Sequence, residues 1–129
     1  MNKQQMNEQE IRSKFIMPAI IKSGWDLQKQ IREEVGFTAG RIIVSGKTIK
    51  RGKQKIPDYV LEYKPNLPLA VLEAKDNNHS IGEGMQQALE YAELLDIPFV
   101  FSSNGDGFVF HDRGTGKEIN LSLDNFPSP

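Results

Sequence analysis

The chain has no cysteine, a single tryptophan and only two histidines among its 129 residues. The missing cysteines exclude disulfide frameworks, thiolate zinc sites and cysteine nucleophiles together, and suit a reducing cytoplasm. His111 has no histidine companion near it in sequence, which argues against a histidine metal cluster. No apolar run approaches the ~18 residues that a membrane-spanning helix requires. The first ten residues, Met1 to Glu10, are polar and carry no apolar segment of the kind a signal peptide needs. Nor is there an overall excess of basic charge, because the formal net charge is −1.

What is present is an ordinary globular composition, 38% hydrophobic and 26% charged. The length suits one domain with its own core, residues 1–129. The charge is unevenly placed. Lys47, Lys50, Arg51, Lys53 and Lys55 crowd into one short segment on an otherwise more acidic body. Such a segment is either a phosphate-contacting edge or a solvated loop.

Periodicity outlines the elements. Asn7 and Glu10 form a capping-box pattern. Ile11, Phe15, Ala19 and Ile20 follow at helical spacing, with Pro18 expected to kink the helix and Gly24 to stop it. Leu27, Ile31 and Val35 suggest a short second helix over 26–35. Strands are expected at Arg41–Ser45, Ile56–Tyr63 and Pro68–Lys75, the last two joined by a hairpin at Pro65–Asn66. A helix from Ile81 to Leu95 is expected behind the Ser80/Glu83 capping box. Phe99–Ser102 and Gly107–Phe110 read as two further strands around a tight turn. Residues 121–129 end in Pro-Ser-Pro and read as a linker-like tail, as in an N-terminal fragment of a longer protein. The sum is a mixed α/β layer with a β-hairpin at its centre.

The hairpin carries the chemistry. Side chains alternate faces along a strand. A hairpin folded symmetrically about Pro65–Asn66 sets Asp58 directly opposite Glu73. Facing residues have Cβ atoms about 4.5–5.5 Å apart, and like charges so placed repel. A divalent cation relieves that repulsion, and Mg²⁺ favours one or two carboxylates plus waters. Lys75 leaves the same face as Glu73, where it can orient or deprotonate an attacking water and offset phosphate charge. The constellation is that of metal-assisted phosphodiester hydrolysis, and a one-residue slip in register would dismantle it. Two look-alikes lie nearby. Glu62-Tyr63-Lys64 repeats the Glu-x-Lys spacing on the first strand. Gly46-Lys47-Thr48 resembles a phosphate-binding loop, but the spacing back to Gly40 is wrong and Ile42-Ile43-Val44 intervenes. His79 reads as a turn residue, with DNA contact or proton shuttling as its alternative roles.

Pro57-Asp58 followed by Glu73-Ala74-Lys75 resembles the PD-(D/E)xK nuclease signature. With Phe15-Ile16, Pro18, Gly24-Trp25-Asp26, the two hairpin strands, Gln87 and Tyr91, the chain resembles more narrowly the N-terminal endonuclease domain of the R subunit of type I restriction enzymes. The resemblance implies a restriction-endonuclease-like core with a central mixed sheet. It implies that Asp58 and Glu73 bind catalytic Mg²⁺ (Mn²⁺ as substitute), with the Ala74 carbonyl as a further ligand, and that Lys75 acts on the attacking water. Gln87 and Tyr91 match a Q-x-x-x-Y motif, four apart on one helix face, and are implied to contact DNA. Lys50, Arg51 and Lys53 are the candidate phosphate contacts. Glu10 is a candidate acidic group near the metal, although capping explains it equally well. Ser103-Asn104-Gly105 stands where such domains often carry Thr-Asn-Gly.

Double-stranded DNA is the implied substrate, cut in defence against foreign DNA to leave a 5′-phosphate and a 3′-hydroxyl. The implied partners are methylation and specificity subunits. ATP would belong to a motor region that these residues lack. Three other readings remain open at this point: a stand-alone nuclease or resolvase on the same fold, a catalytically silent DNA-binding or assembly module, and a purely structural α/β domain that binds no metal and tolerates Asp58→Ala.

Overall fold

The computed structural model describes residues 3–33, 37–38, 41–42, 57–64 and 67–129. The basic segment from Lys47 to Lys55, including Lys50, Arg51 and Lys53, lies outside the described residues.

The chain starts with the expected capping box. Asn7 Oδ1 accepts the Glu10 N–H at 2.8 Å, and Glu10 Oε1 accepts the Asn7 N–H at 3.0 Å. Helix α1 (Glu8–Ile11) then widens into a π-helical turn, Arg12–Ile16, before α2 (Met17–Lys22). The kink expected at Pro18 takes this form. Pro18 sits in the first turn of α2 and has no N–H to donate, and the Met17 N–H reaches back to the Arg12 carbonyl.

Six strands form the main sheet in the order β1 (Ile31–Glu33), β4 (Tyr59–Lys64), β5 (Leu67–Ala74), β6 (Phe99–Ser103), β7 (Gly107–Asp112) and β8 (Glu118–Ser122). β5 and β6 are parallel and the other pairs antiparallel. The parallel pair needs a crossover, which α3 (Met85–Leu95) supplies. β2 (Phe37–Thr38) and β3 (Arg41–Ile42) make a separate two-stranded ribbon.

Both faces of the sheet are covered. Tyr59, Leu61, Leu72, Phe101 and Phe108 pack against Ile11, Ile16 and Ile20 of the N-terminal helices. Val60, Val71, Val100 and Val109 pack against Met85, Ala88, Tyr91 and Ala92 of α3. This two-sided burial explains why the central strands are nearly continuous in apolar residues rather than alternating.

Four expectations change. Residues 26–30 form a turn and not a helix. Asp26 Oδ1 accepts the N–H groups of Gln28 and Lys29, and Ile31 then pairs with Leu61 as an edge strand. Leu27, the first of the three spaced apolar residues, is 47% exposed, so no helical face is buried here. Helix α3 begins at Met85, not Ile81. Only half of the Ser80/Glu83 box forms, the Ser80 N–H to Glu83 Oε1 at 3.3 Å, and residues 81–84 are a turn. β8 was not expected. Its register brings Leu121 beside Phe108 and Ile119 beside Phe110.

The fourth change concerns residues 121–129, read as linker-like. They add Leu121 and Ser122 to β8 and a 3₁₀ turn at Leu123–Asn125. Phe126 follows, buried with its ring 4.5 Å from that of Phe101 and 4.7 Å from that of Phe108. The indole N–H of Trp25 donates to the Pro127 carbonyl at 2.8 Å.

Candidate active site

The register on which the site depends is the expected one. Tyr59 pairs with Leu72, Val60 with Val71 and Leu61 with Ala70. The same register continued by one residue places Asp58 opposite Glu73. The ladder slips only farther along, at the bulges around Glu62.

The two carboxylates are tied into each other's backbone. Glu73 Oε1 accepts the Asp58 N–H at 2.9 Å, and Asp58 Oδ2 accepts the Ala74 N–H at 2.7 Å. Each residue thereby keeps one carboxylate oxygen anchored to the strand pair. Glu73 is 5% exposed on a strand flanked by β4 and β6. Burial first, and then the charge of Asp58, push its carboxyl from the ordinary value up to about 8. So high a value marks a carboxyl taken out of water beside another acid.

Lys75 follows β5 directly, its N–H donating to the Ser103 carbonyl at 2.9 Å. Its charge acts on Glu73 and on Glu8. Among the described residues no ion pair within 4.0 Å joins Lys75 to Glu73, which is 5% exposed. The Glu62-Tyr63-Lys64 look-alike is different in kind. Glu62 is buried at the bulge, with Arg32 Nε 3.5 Å from its Oε1 and its N–H on the Gln30 carbonyl at 2.7 Å. It ties β4 to the edge strand β1.

The acidic residue that the first helix turns toward the site is Glu8, not Glu10. Glu10 is held in the capping box, whereas burial and then the charge of Asp58 raise the Glu8 carboxyl above its ordinary value. Sequence reasoning missed Glu8. The available signal was its position four residues before Arg12, on the same helical face. Arg12, also missed, is a buried cation. Its Nε donates to Tyr59 Oη and its Nη2 to Glu33 Oε1, both at 3.1 Å. Its Nη1 lies 3.7 Å from Asp58 Oδ1 and 4.0 Å from Glu8 Oε2.

Close approach of α3 to the site depends on glycine. A Cβ on Gly84 would stand 3.2 Å from both the Glu73 Cβ and the Ser102 Oγ. Ser102 Oγ in turn accepts the Gly84 N–H at 3.2 Å and donates to the Ile81 carbonyl at 2.7 Å. Farther along α3, Gln87 Nε2 donates to Tyr91 Oη at 3.0 Å. Tyr91 is buried against the sheet and Gln87 is exposed. The spacing is therefore a bonded pair in which Gln87 alone is solvent-facing.

His79 belongs to the turn after Lys75, as its position suggested. Its Nδ1 lies 2.9 Å from Asp76 Oδ1, and its carbonyl accepts Asn104 Nδ2 at 2.6 Å. Asn104 also caps Asp106 N–H at 3.0 Å and receives Asn77 Nδ2 on its carbonyl at 2.9 Å. Ser103-Asn104-Gly105 thus braces the loop that leaves the site. His111 pairs with Glu118 between β7 and β8.

A mixed sheet with an acidic pair and a lysine at the end of its central hairpin defines a restriction-endonuclease-like fold. The family described as the type I restriction enzyme R protein N terminus matches residues 42–119. The chain belongs to that family. It is similar to the type I restriction enzyme EcoAI endonuclease subunit of Escherichia coli, with 51% identity over 133 aligned residues. A solved fragment described as an HsdR subunit of a type I restriction enzyme from Vibrio vulnificus YJ016 superposes with a TM-score of 0.80 at 40% identity, covering 96% of this chain. The chain spans 16% of the E. coli protein and 24% of the V. vulnificus one.

Proposed function

We propose that this chain is the endonuclease domain of a type I restriction R subunit, hydrolysing phosphodiester bonds of double-stranded DNA with Mg²⁺. The observation that carries the reading is the interlocked pair Asp58 and Glu73, with Lys75 directly after the end of the same central strand.

The residues fit a divalent cation. Two carboxylates lie side by side, and burial first, then the charge of Asp58, hold Glu73 against ionisation. Mg²⁺ takes one or two carboxylates and keeps waters for substrate phosphate. Asp58 and Glu73 would hold it, with the Ala74 carbonyl as a further ligand. Bound there, the ion would polarise the phosphate and lower the pKa of a coordinated water.

The chain's own residues do the rest. Lys75 orients the attacking water and offsets charge on the phosphate. Gln87 presents its amide to DNA, with Tyr91 fixing its direction. Lys50, Arg51 and Lys53 contact phosphates. Methylation and specificity subunits, ATP-driven translocation and a cytoplasmic setting belong to this reading through the longer protein. No helix of the described residues is long and apolar enough to cross a membrane.

The test is a calorimetric Mn²⁺ titration of this chain and of Asp58→Ala, each with and without a short duplex. Binding by the native chain and loss in the variant supports the reading, and Lys75→Ala should then bind metal and DNA without cleaving. No Mn²⁺ binding by the native chain, even with duplex, would overturn it in favour of a silent DNA-binding module.

A further inference from the structure

Arg12 is a fully charged side chain, 3% exposed, at the start of the π-helical turn. An arginine taken out of water needs partners on every side. Two of its nitrogens bond away from the acidic pair, to Tyr59 and to Glu33 of the edge strand, and its guanidinium carbon lies 4.7 Å from the centre of the Tyr59 ring. The third, Nη1, faces Asp58 Oδ1 at 3.7 Å and Glu8 Oε2 at 4.0 Å, beyond hydrogen-bonding length for both.

We infer that Arg12 is a fixed internal counter-ion for Glu8 and Asp58, a positioning residue that sets how strongly the acidic site draws a divalent cation. The inference rests on the nuclease reading. Three features support it. The guanidinium is anchored by groups outside the acidic pair, so its place does not depend on Asp58. It stands at ion-pair distance from Asp58 Oδ1, leaving the anchoring of Oδ2 by Ala74 undisturbed. It also meets two of the three carboxylates gathered here, Glu8 and Asp58, while the charge of Lys75 acts on Glu73 and on Glu8. A cation held in that place lowers the negative potential. It reduces repulsion among the acids when no metal is bound, and it weakens the pull on a metal when one arrives. Glu33 shares the guanidinium's charge from β1 and tempers it in turn.

The direction of change separates this role from a merely structural one. A structural arginine, once removed, would loosen the ligands and weaken metal binding. A counter-ion, once removed, strengthens it. Mn²⁺ titration by calorimetry should therefore show Arg12→Met binding about tenfold more tightly than the native chain, with Arg12→Lys near native. Thermal unfolding without metal should fall for Arg12→Met, and saturating Mn²⁺ should raise it by more than it raises the native chain. The exposed Glu33→Gln change removes one negative charge that shares the guanidinium and shifts affinity the other way, to roughly threefold weaker binding, because more of the cation's field then reaches the site. Unchanged or weaker Mn²⁺ binding in Arg12→Met sinks the inference while leaving the nuclease reading in place. If Arg12→Met does not fold, Glu33→Gln decides, and unchanged or tighter binding there sinks it. A native chain that binds no Mn²⁺ overturns the nuclease reading, and this inference falls with it.

Discussion

Asp58 and Glu73 hold one another across the β4–β5 pair: the Asp58 N–H donates to Glu73 Oε1, and Asp58 Oδ2 accepts from Ala74, the residue after Glu73. The bonds fix both carboxylates at a separation where their charges oppose. The site is therefore assembled at an electrostatic cost, and that cost varies with pH.

Burial and Asp58 hold the Glu73 carboxyl at about 8 in the fold, against an ordinary value of 4.5. The folded chain then keeps a proton that the unfolded chain releases. Stability should fall as pH rises from 4.5 towards 8, and level off outside that window, where both states carry the same protonation. Glu73→Gln removes the dependence, so its melting temperature should gain on the native chain progressively towards pH 8. Thermal unfolding of both proteins across that range checks it, and parallel curves would mean that Glu73 ionises freely in the fold. Metal binding near neutral pH should release a proton, measurable in buffers of different ionisation enthalpy.

Gly84→Ala should destabilise the chain by about 1–3 kcal/mol, because its Cβ would stand 3.2 Å from the Cβ of buried Glu73 and from Ser102 Oγ, so that one of them must shift. Urea unfolding reads the loss. Mn²⁺ affinity should weaken as well, since the displaced atom belongs to a proposed ligand. A native-like midpoint would mean that α3 shifts without cost.

Tyr91→Phe removes only the hydroxyl that receives Gln87 Nε2. If Tyr91 acts on DNA through Gln87, Tyr91→Phe and Gln87→Ala should each weaken duplex binding, and the double variant should be no worse than Gln87→Ala alone. Additive losses would mean that the two residues act on DNA separately.

Neutralising Lys50, Arg51 and Lys53 to Gln should weaken duplex binding and flatten its salt dependence, by roughly 0.9 in the logarithmic slope for each phosphate that the chain no longer neutralises. Binding measured from low to physiological salt checks this. An unchanged slope would place the basic segment outside the DNA interface.

The site was more legible in the sequence than its surroundings. Asp58 and Glu73 could be placed opposite each other because strand periodicity is strict and a Pro-Asn pair between two β-rich runs signals the connection about which a hairpin folds. The Asn7/Glu10 box was legible because capping is local. The helix drawn over 26–35 failed for the same reason in reverse. Leu27 and Ile31 have helical spacing, but the Asx turn at Asp26 and the pairing of Ile31 with Leu61 prevail, and the second of these joins residues distant in sequence. The late start of α3 is likewise tertiary, because the 81–84 turn is held by Ser102 from β6.

What the sequence determined by itself is therefore the strand pair, its register and the residue types that meet at its end, all products of local periodicity and turn chemistry. Only the tertiary structure decided that Glu8 and not Glu10 faces the site, that Arg12 lies beside Asp58, that Tyr91 is buried while Gln87 is exposed, and that Phe126 closes the core over Phe101 and Phe108. Each of these depends on how a helix or the chain's end packs onto the sheet. That packing is set by shape and burial across the whole molecule, and no window of neighbouring residues contains it.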